Sequence, residues 1–397
     1  LSHRADNPAD RAAVSRPSRR AIFGPIIASV AFVLELTLVP LLLPMMQRQF
    51  GLSITELVWI FNSYGLAVAI GVLIGGWLGD RFDHRSIFVA GAVCFASGSF
   101  LVAFAGSFEA LLLGRTLQGF GGGVFSPLIP LLLTGASPGR PGRILIVWSG
   151  VTGYVAAFAP LIYGHVLGAE NWELAFVFLG VLAVGAPFVL DGSHAELQGD
   201  HTTGPSRDYA MLFRSRNLWI MLGYVSCTYG AITFYLFRLP VWLASDEPDA
   251  AWIGFVISTI WLSFAALSTF LRNRVDEPQV HKILLAAPVL IAVGLPLSYY
   301  GETRLAVILA SVLVGAGLAC SNAPSTQMIL RFAPRGMRAL SASLDITFAR
   351  LGGVVTVALL AHADLVLVTP GIGLLCGAAF LCAIWAIRGQ RGLARQP

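Results

Sequence analysis

Among the ionisable side chains inside long apolar runs of this 397-residue chain are Glu35, Arg115, Asp345 and Arg350. A carboxylate in the middle of such a run costs on the order of 3 kcal/mol on insertion scales, so it is expected to face a bundle interior or a wet cavity. Glu35 stands at the centre of Leu34-Glu35-Leu36-Thr37-Leu38-Val39, and Arg115 in Gly114-Arg115-Thr116-Leu117-Gln118-Gly119. An acid and a guanidinium in these surroundings can bind and release a proton, with the permanent positive charge as counter-ion of the carboxylate. A structural carboxylate, hydrogen-bonded between helices, is the other reading of Glu35. By helical rise Arg115 lies roughly 10 Å and Glu35 about 16 Å from the same side of the membrane, a difference two long side chains can bridge if their helices adjoin.

The elements that must hold these groups are membrane spans. The composition is 56% apolar and 12% charged, with a mean hydropathy of +0.76, too little charge to cover a soluble protein of this length. Apolar windows of about 20 residues fall near 22–46, 56–78, 86–106, 108–134, 143–167, 172–190, 217–244, 250–271, 280–300, 304–330, 337–362 and 369–388. They are continuous rather than alternating, which predicts an all-α integral membrane protein and argues against a barrel. The polar stretch Asp191–Arg216, with Gly192, Gly199, Gly204 and Pro205, separates six spans from six. The expected organisation is a tail over 1–21, a six-helix bundle over 22–190, a cytoplasmic linker over 191–216, a second bundle over 217–388 and a tail over 389–397.

Of the 26 Lys and Arg residues, Arg48 and Arg304 fall in loops on one side and Arg115, Arg238 and Arg350 within spans, leaving twenty-one on the other side. That asymmetry predicts cytoplasmic termini and makes the net charge of +5 a topology signal, not a nucleic-acid footprint. The five cysteines all fall within spans and have no disulfide or metal spacing.

Between the second and third spans lies Gly76-Trp77-Leu78-Gly79-Asp80-Arg81-Phe82-Asp83-His84-Arg85. It resembles the Gly-x-Leu-x-Asp-Arg-x-Gly-x-Arg signature of the major facilitator superfamily of secondary transporters. Gly76, Leu78, Asp80, Arg81 and Arg85 match, while Asp83 stands where the pattern has glycine. Arg115, Gln118 and Gly119 match a second signature, Arg-x-x-Gln-Gly. The stretch around Glu35 is similar to the Leu-Asp-x-Thr-x-Val motif of drug:proton antiporters, with Glu35 for Asp, and Trp59 and Tyr64 match the same exporters. In the eleventh span Ser343, Thr347, Arg350, Gly352 and Gly353 fit an exporter pattern to which Asp345 is additional. In the fifth, only Pro160 and Gly164 match the antiporters' Gly-Pro-x-x-Gly-Gly, and Tyr163 adds bulk.

The resemblance implies two six-helix bundles rocking about a mid-membrane site. It makes Glu35, Arg115, Asp345 and Arg350 candidates for proton coupling or the cavity wall, and Gly76, Asp80, Arg81 and Arg85 an inner-gate loop. Gly119, Pro160, Gly164, Gly352 and Gly353 become helix-packing positions. Tyr64, Gln118, Tyr235, Arg238, Asn322 and Gln327 are candidate cavity residues, each with a plainer reading. Tyr64 can anchor at the membrane interface, Arg238 can snorkel outward, and the amides can hydrogen-bond between helices. Asp345 and Arg350, five apart on a helix, lie about 140° around its axis and should not pair. Asp345 reads as half of a structural charge pair or as a second proton site.

The expected function is proton-coupled export of a small amphipathic compound or drug across the inner or plasma membrane, as in multidrug efflux. Proton-linked uptake or metabolite exchange is the alternative that the altered fifth-span motif favours. A membrane-embedded enzyme is disfavoured, because no His, Cys or acid cluster has catalytic spacing within a span. No cofactor is expected beyond the proton gradient. The expected partners are lipid, a small-molecule substrate and protons, with no nucleic acid, and the chain is expected to be a monomer.

Overall fold

Backbone amides in a lipid core must be satisfied within their own segment, and each apolar run accordingly folds as helix. The computed structural model describes residues 19–79, 81–137, 141–166, 171–189, 209–246, 249–271, 280–301, 303–334 and 337–393. The helices are α1 (Arg19–Phe50), α2 (Ile54–Gly79), α3 (His84–Ala103), α4 (Phe108–Phe125), α5 (Ile129–Ala136), α6 (Pro141–Val166) and α7 (Trp172–Val189). After the short α8 (Tyr209–Arg214) come α9 (Arg216–Asp246), α10 (Ala250–Leu271), α11 (Val280–Tyr300), α12 (Arg304–Phe332), α13 (Arg338–Leu360) and α14 (Leu365–Leu393). Counting α4 and α5 as one broken span, twelve helical stretches are long and apolar enough to cross a membrane.

Three boundaries differ from the sequence expectation. The fourth span is two helices joined by a 3-10 turn at Ser126–Leu128, because Pro127 and Pro130 lack the amides that would continue the ladder. The first helix outlasts its apolar window through Gln47, Arg48 and Gln49 and stops at Gly51. There a φ of 62° lets the Leu52 amide donate to the Gln47 carbonyl at 3.0 Å, a Schellman ending. Ser53 and Glu56 then cap α2 reciprocally, the Ser53 amide donating to Glu56 Oε2 at 2.9 Å. The expected linker is helical over Tyr209–Arg214, and Arg216 already opens α9; residues 190–208 lie outside the described residues.

Helices α1–α7 pack chiefly among themselves, as do α9–α14. In the first set Phe125 is ringed edge-on by Phe32, Phe88 and Phe95 at centroid distances of 5.7–6.0 Å. A side chain at Gly119 would overlap the Tyr64 carbonyl, so α2 and α4 meet backbone to backbone. Gly352 does the same for α13 against Ser226 of α9, and Gly353 abuts Thr233. Apolar side chains such as Phe188 and Leu374 are exposed on the perimeter, where lipid would lie.

Two seams join the sets. Along α2 and α13 run Thr55 to His362 at 2.9 Å, Asn62 to the Val354 carbonyl at 3.0 Å and Thr347 to the Ala69 carbonyl at 3.2 Å. Gly76 lies against Ser343 at the end of that seam nearer the chain termini. The α6–α10 seam is tight on the side away from the termini. There Gly164 abuts Ala250, the Pro160 carbonyl abuts Gly254, and the Leu161 amide donates to Ser258 at 2.9 Å. On the other half of α6, Gly150 and Gly153 have open space beside them.

Candidate functional site

Glu35 and Arg115 meet. Nη1 of Arg115 donates to Glu35 Oε1 at 2.7 Å, and both side chains are almost wholly buried, at 1% and 2% exposure. The same nitrogen donates to Gln118 Oε1, one turn along α4. Gln118 in turn donates from Nε2 to Ser99 Oγ at 2.9 Å, and Ser99 donates to the Phe95 carbonyl at 2.8 Å. Arg115 Nε reaches the Ile60 carbonyl at 3.4 Å, and its guanidinium lies 4.3 Å above the Tyr64 ring. The arginine is therefore held by α1, α2 and α4 together, through charge, amide and ring face.

The pair lies on the wall of a cavity between the two sets of helices, with an empty volume of about 510 Å³ including its open mouth. Leu36, Val39, Phe61 and Leu236 supply apolar surface, and Arg350 enters the wall from α13. The Arg350 guanidinium stands 6.0 Å from the Phe32 ring. Asn62 Oδ1 is buried at this wall without a hydrogen-bond partner among the described residues, and the Tyr64 hydroxyl lies beside Glu35 as its neighbouring donor.

The structure thus brings Glu35, Arg115, Tyr64 and Arg350 to one place. Gln118 stands behind the arginine as a structural acceptor instead of lining the cavity. Asp345 and Arg350 do not pair: Thr326 of α12 donates to Asp345 Oδ2 at 2.6 Å, away from the cavity wall. Tyr235 is fully buried and bonded to Ser311 at 3.1 Å. Arg238, Asn322 and Gln327 are half-buried and do not line this cavity. The expected interface role fits Trp59, which is 56% exposed, and not Tyr64, which is 4% exposed. The packing positions Gly119, Pro160, Gly164, Gly352 and Gly353 all sit at close helix approaches.

In the hairpin after α2, Asp80 lies outside the described residues. Arg81 stacks 4.1 Å over Trp77, Arg85 is half-buried, and Gly76 faces Ser343. Asp83, the departure from the signature, is the N-cap of α3: with φ −58° it needs no glycine, and it accepts from the Ser86 amide at 2.9 Å. Sequence reasoning missed Phe32, Asn62 and Ser99. Phe32 was within reach, since it precedes Glu35 by one helical turn and shares its face.

Twelve spans in two six-helix sets, with an ion pair at a cavity on the seam, define a two-lobed transporter fold in a multi-pass membrane protein. The family model described as Major Facilitator Superfamily matches residues 26–357, and the chain belongs to that family. It is 29% identical over 249 residues to the tetracenomycin C resistance and export protein of Streptomyces glaucescens, covering 62% of this chain and 43% of that one. It is 33% identical over 190 residues to the puromycin resistance protein pur8 of Streptomyces alboniger, covering 46% and 36%. The matches thus span less than half the length of these relatives. The fold is similar to the crystal structure of a mutant of the nucleoside transporter NupG, with a TM-score of 0.74 at 13% identity over 93% of this chain and 99% of that one.

Proposed function

We propose that this protein is a proton-coupled exporter of small amphipathic compounds, working by alternating access between its two lobes. The observation that carries the reading is the buried Glu35–Arg115 pair at the wall of the seam cavity. A carboxylate there can exist in two protonation states, and the change in charge alters both its hold on Arg115 and its offer to a solute in the cavity. The relatives named as resistance and export proteins support export as the direction. The excess of basic residues on one side supports cytoplasmic termini and a cytoplasmic Asp80, Arg81 and Arg85 loop. The α6–α10 seam is tight on the far side, and Gly150 and Gly153 are clear on the near side, which supports access to the cavity from the side of the termini.

Uptake is the second reading, and Tyr163 is its motive, as bulk in a motif that antiporters keep small. Its hydroxyl turns to the Asn171 carbonyl at 2.8 Å, while Pro160 and Gly164 keep their close approach to α10, so the packing favours export. Proton flux in sealed vesicles, screened with amphipathic solutes under gradients of both directions, tests the proposal. Solute movement against the proton flow supports export. Co-movement with protons supports uptake, and an absence of flux for wild type and Glu35→Gln alike sinks the coupling.

A further inference from the structure

The cavity wall carries an acceptor that the described residues leave unused. Asn62 is 5% exposed, and its Nδ2 is committed to the Val354 carbonyl across the seam at 3.0 Å, which fixes the amide's orientation and turns Oδ1 away from that bond. Oδ1 is buried with no hydrogen-bond partner among the described residues, whereas Glu35, on α1 at the same cavity, has the Tyr64 hydroxyl beside it as a donor. A buried acceptor is costly to leave unpaired, so Asn62 Oδ1 marks where a donor belongs. The charge on the wall limits what that donor can be. Glu35 and Arg115 cancel, and Arg350, which makes no ion pair among the described residues, leaves one positive charge beside the site. Asp345 does not offset it from the cavity, because it is held by Thr326 on the α12 side. A fixed cation in the cavity is therefore disfavoured, while an aromatic or aliphatic body finds Phe61, Leu36 and Val39.

We infer that Asn62 is a specificity-determining residue that recognises uncharged amphipathic solutes bearing an N–H or O–H donor. The inference rests on the cavity being the transport site and adds the chemistry of its cargo. The same amide reads cargo through Oδ1 and the opposite lobe through Nδ2, so occupancy and seam closure meet in one side chain. A site built to bond a donor rejects the analogue lacking it far more strongly than an apolar pocket rejects a missing methyl.

The test is equilibrium binding to the purified full chain in detergent, using an aminocoumarin, its N,N-dimethyl analogue without donors, and a trimethylammonium derivative. Wild type is expected to bind the aminocoumarin at least about tenfold more tightly than either other probe, the worth of one buried hydrogen bond. Asn62→Leu should shrink the preference to about twofold. Equal wild-type affinity for the amino and dimethyl probes overturns the assignment, as does tight binding of the trimethylammonium probe or an undiminished preference in Asn62→Leu. If Asn62→Leu does not purify as a single species, the wild-type comparison decides alone. Proton flux in vesicles separates the two proposals. Donor-selective binding without coupled flux removes the export reading and keeps this one, whereas coupled flux of both coumarins at equal rates does the reverse.

Discussion

Thr347 donates its hydroxyl to the Ala69 carbonyl at 3.2 Å, so a side chain of one lobe is bonded to the backbone of the other in the middle part of both helices. A bond that exists only while α2 and α13 adjoin stabilises one arrangement of the lobes over the others. Thr347→Val removes it at nearly constant volume and should cost this arrangement about 1 kcal/mol, a population change of roughly fivefold. Thiol labelling of Gly150→Cys, in a background without the native cysteines, reads the shift as a lowered rate. Labelling unchanged by Thr347→Val counts against a role for this seam in the lobe equilibrium.

The ion pair gives the largest expected effects. Glu35→Gln leaves the Arg115 guanidinium buried without its counter-ion, a loss of roughly 3–5 kcal/mol for breaking a buried pair. It should abolish proton-coupled flux and lower the thermal midpoint. The double change Glu35→Leu with Arg115→Met should be the more stable of the two, since no charge is stranded. Intrinsic-fluorescence melts of both variants check the order, and a double variant less stable than the single would contradict it.

At the far-side seam a Cβ on Gly164 would overlap the Ala250 carbonyl. Gly164→Val should hold α6 and α10 apart there at a cost of about 1–3 kcal/mol. Transport should fall sharply while the protein still purifies as one species. Transport at the wild-type rate would mean that the seam does not need to close.

Asp83 makes a pH prediction outside the membrane. Partial burial raises its carboxyl, but the Ser86 amide and hydroxyl outweigh that and hold it below the ordinary carboxylate range. Its contribution is full above the unfolded value of about 3.9 and is lost as pH falls through the lower folded value. Asp83→Ala should therefore destabilise α3 by about 1 kcal/mol at neutral pH and by nothing in strong acid. Melts at both pH values test this, and an equal deficit at both would exclude the cap as its source.

Much of the architecture was legible because lipid imposes it: an apolar run of spanning length can only be helix, so the twelve spans follow from composition and length. The Glu35–Arg115 pair was legible from depth along two helices, because few other groups lie within reach of a buried charge. What spacing cannot give is which face of a helix meets which neighbour. Gln118 looked like a cavity residue and is instead consumed by Arg115 and Ser99, and Asp345 found its donor, Thr326, on α12. Asn62 passed unnoticed because an amide near a helix end has many uses, and only the committed Val354 bond shows which of its atoms is left over.

The proline break between α4 and α5 has a mechanical consequence. Without the amides of Pro127 and Pro130, the fourth span bends more easily at Ser126–Leu128 than on either side. A tilt of the stub that leads into α6 would be absorbed at this joint and would not propagate up the rod that holds Arg115. A swing of the near-side ends would then leave the charged centre in its geometry, as a door turns on its hinge without moving the frame.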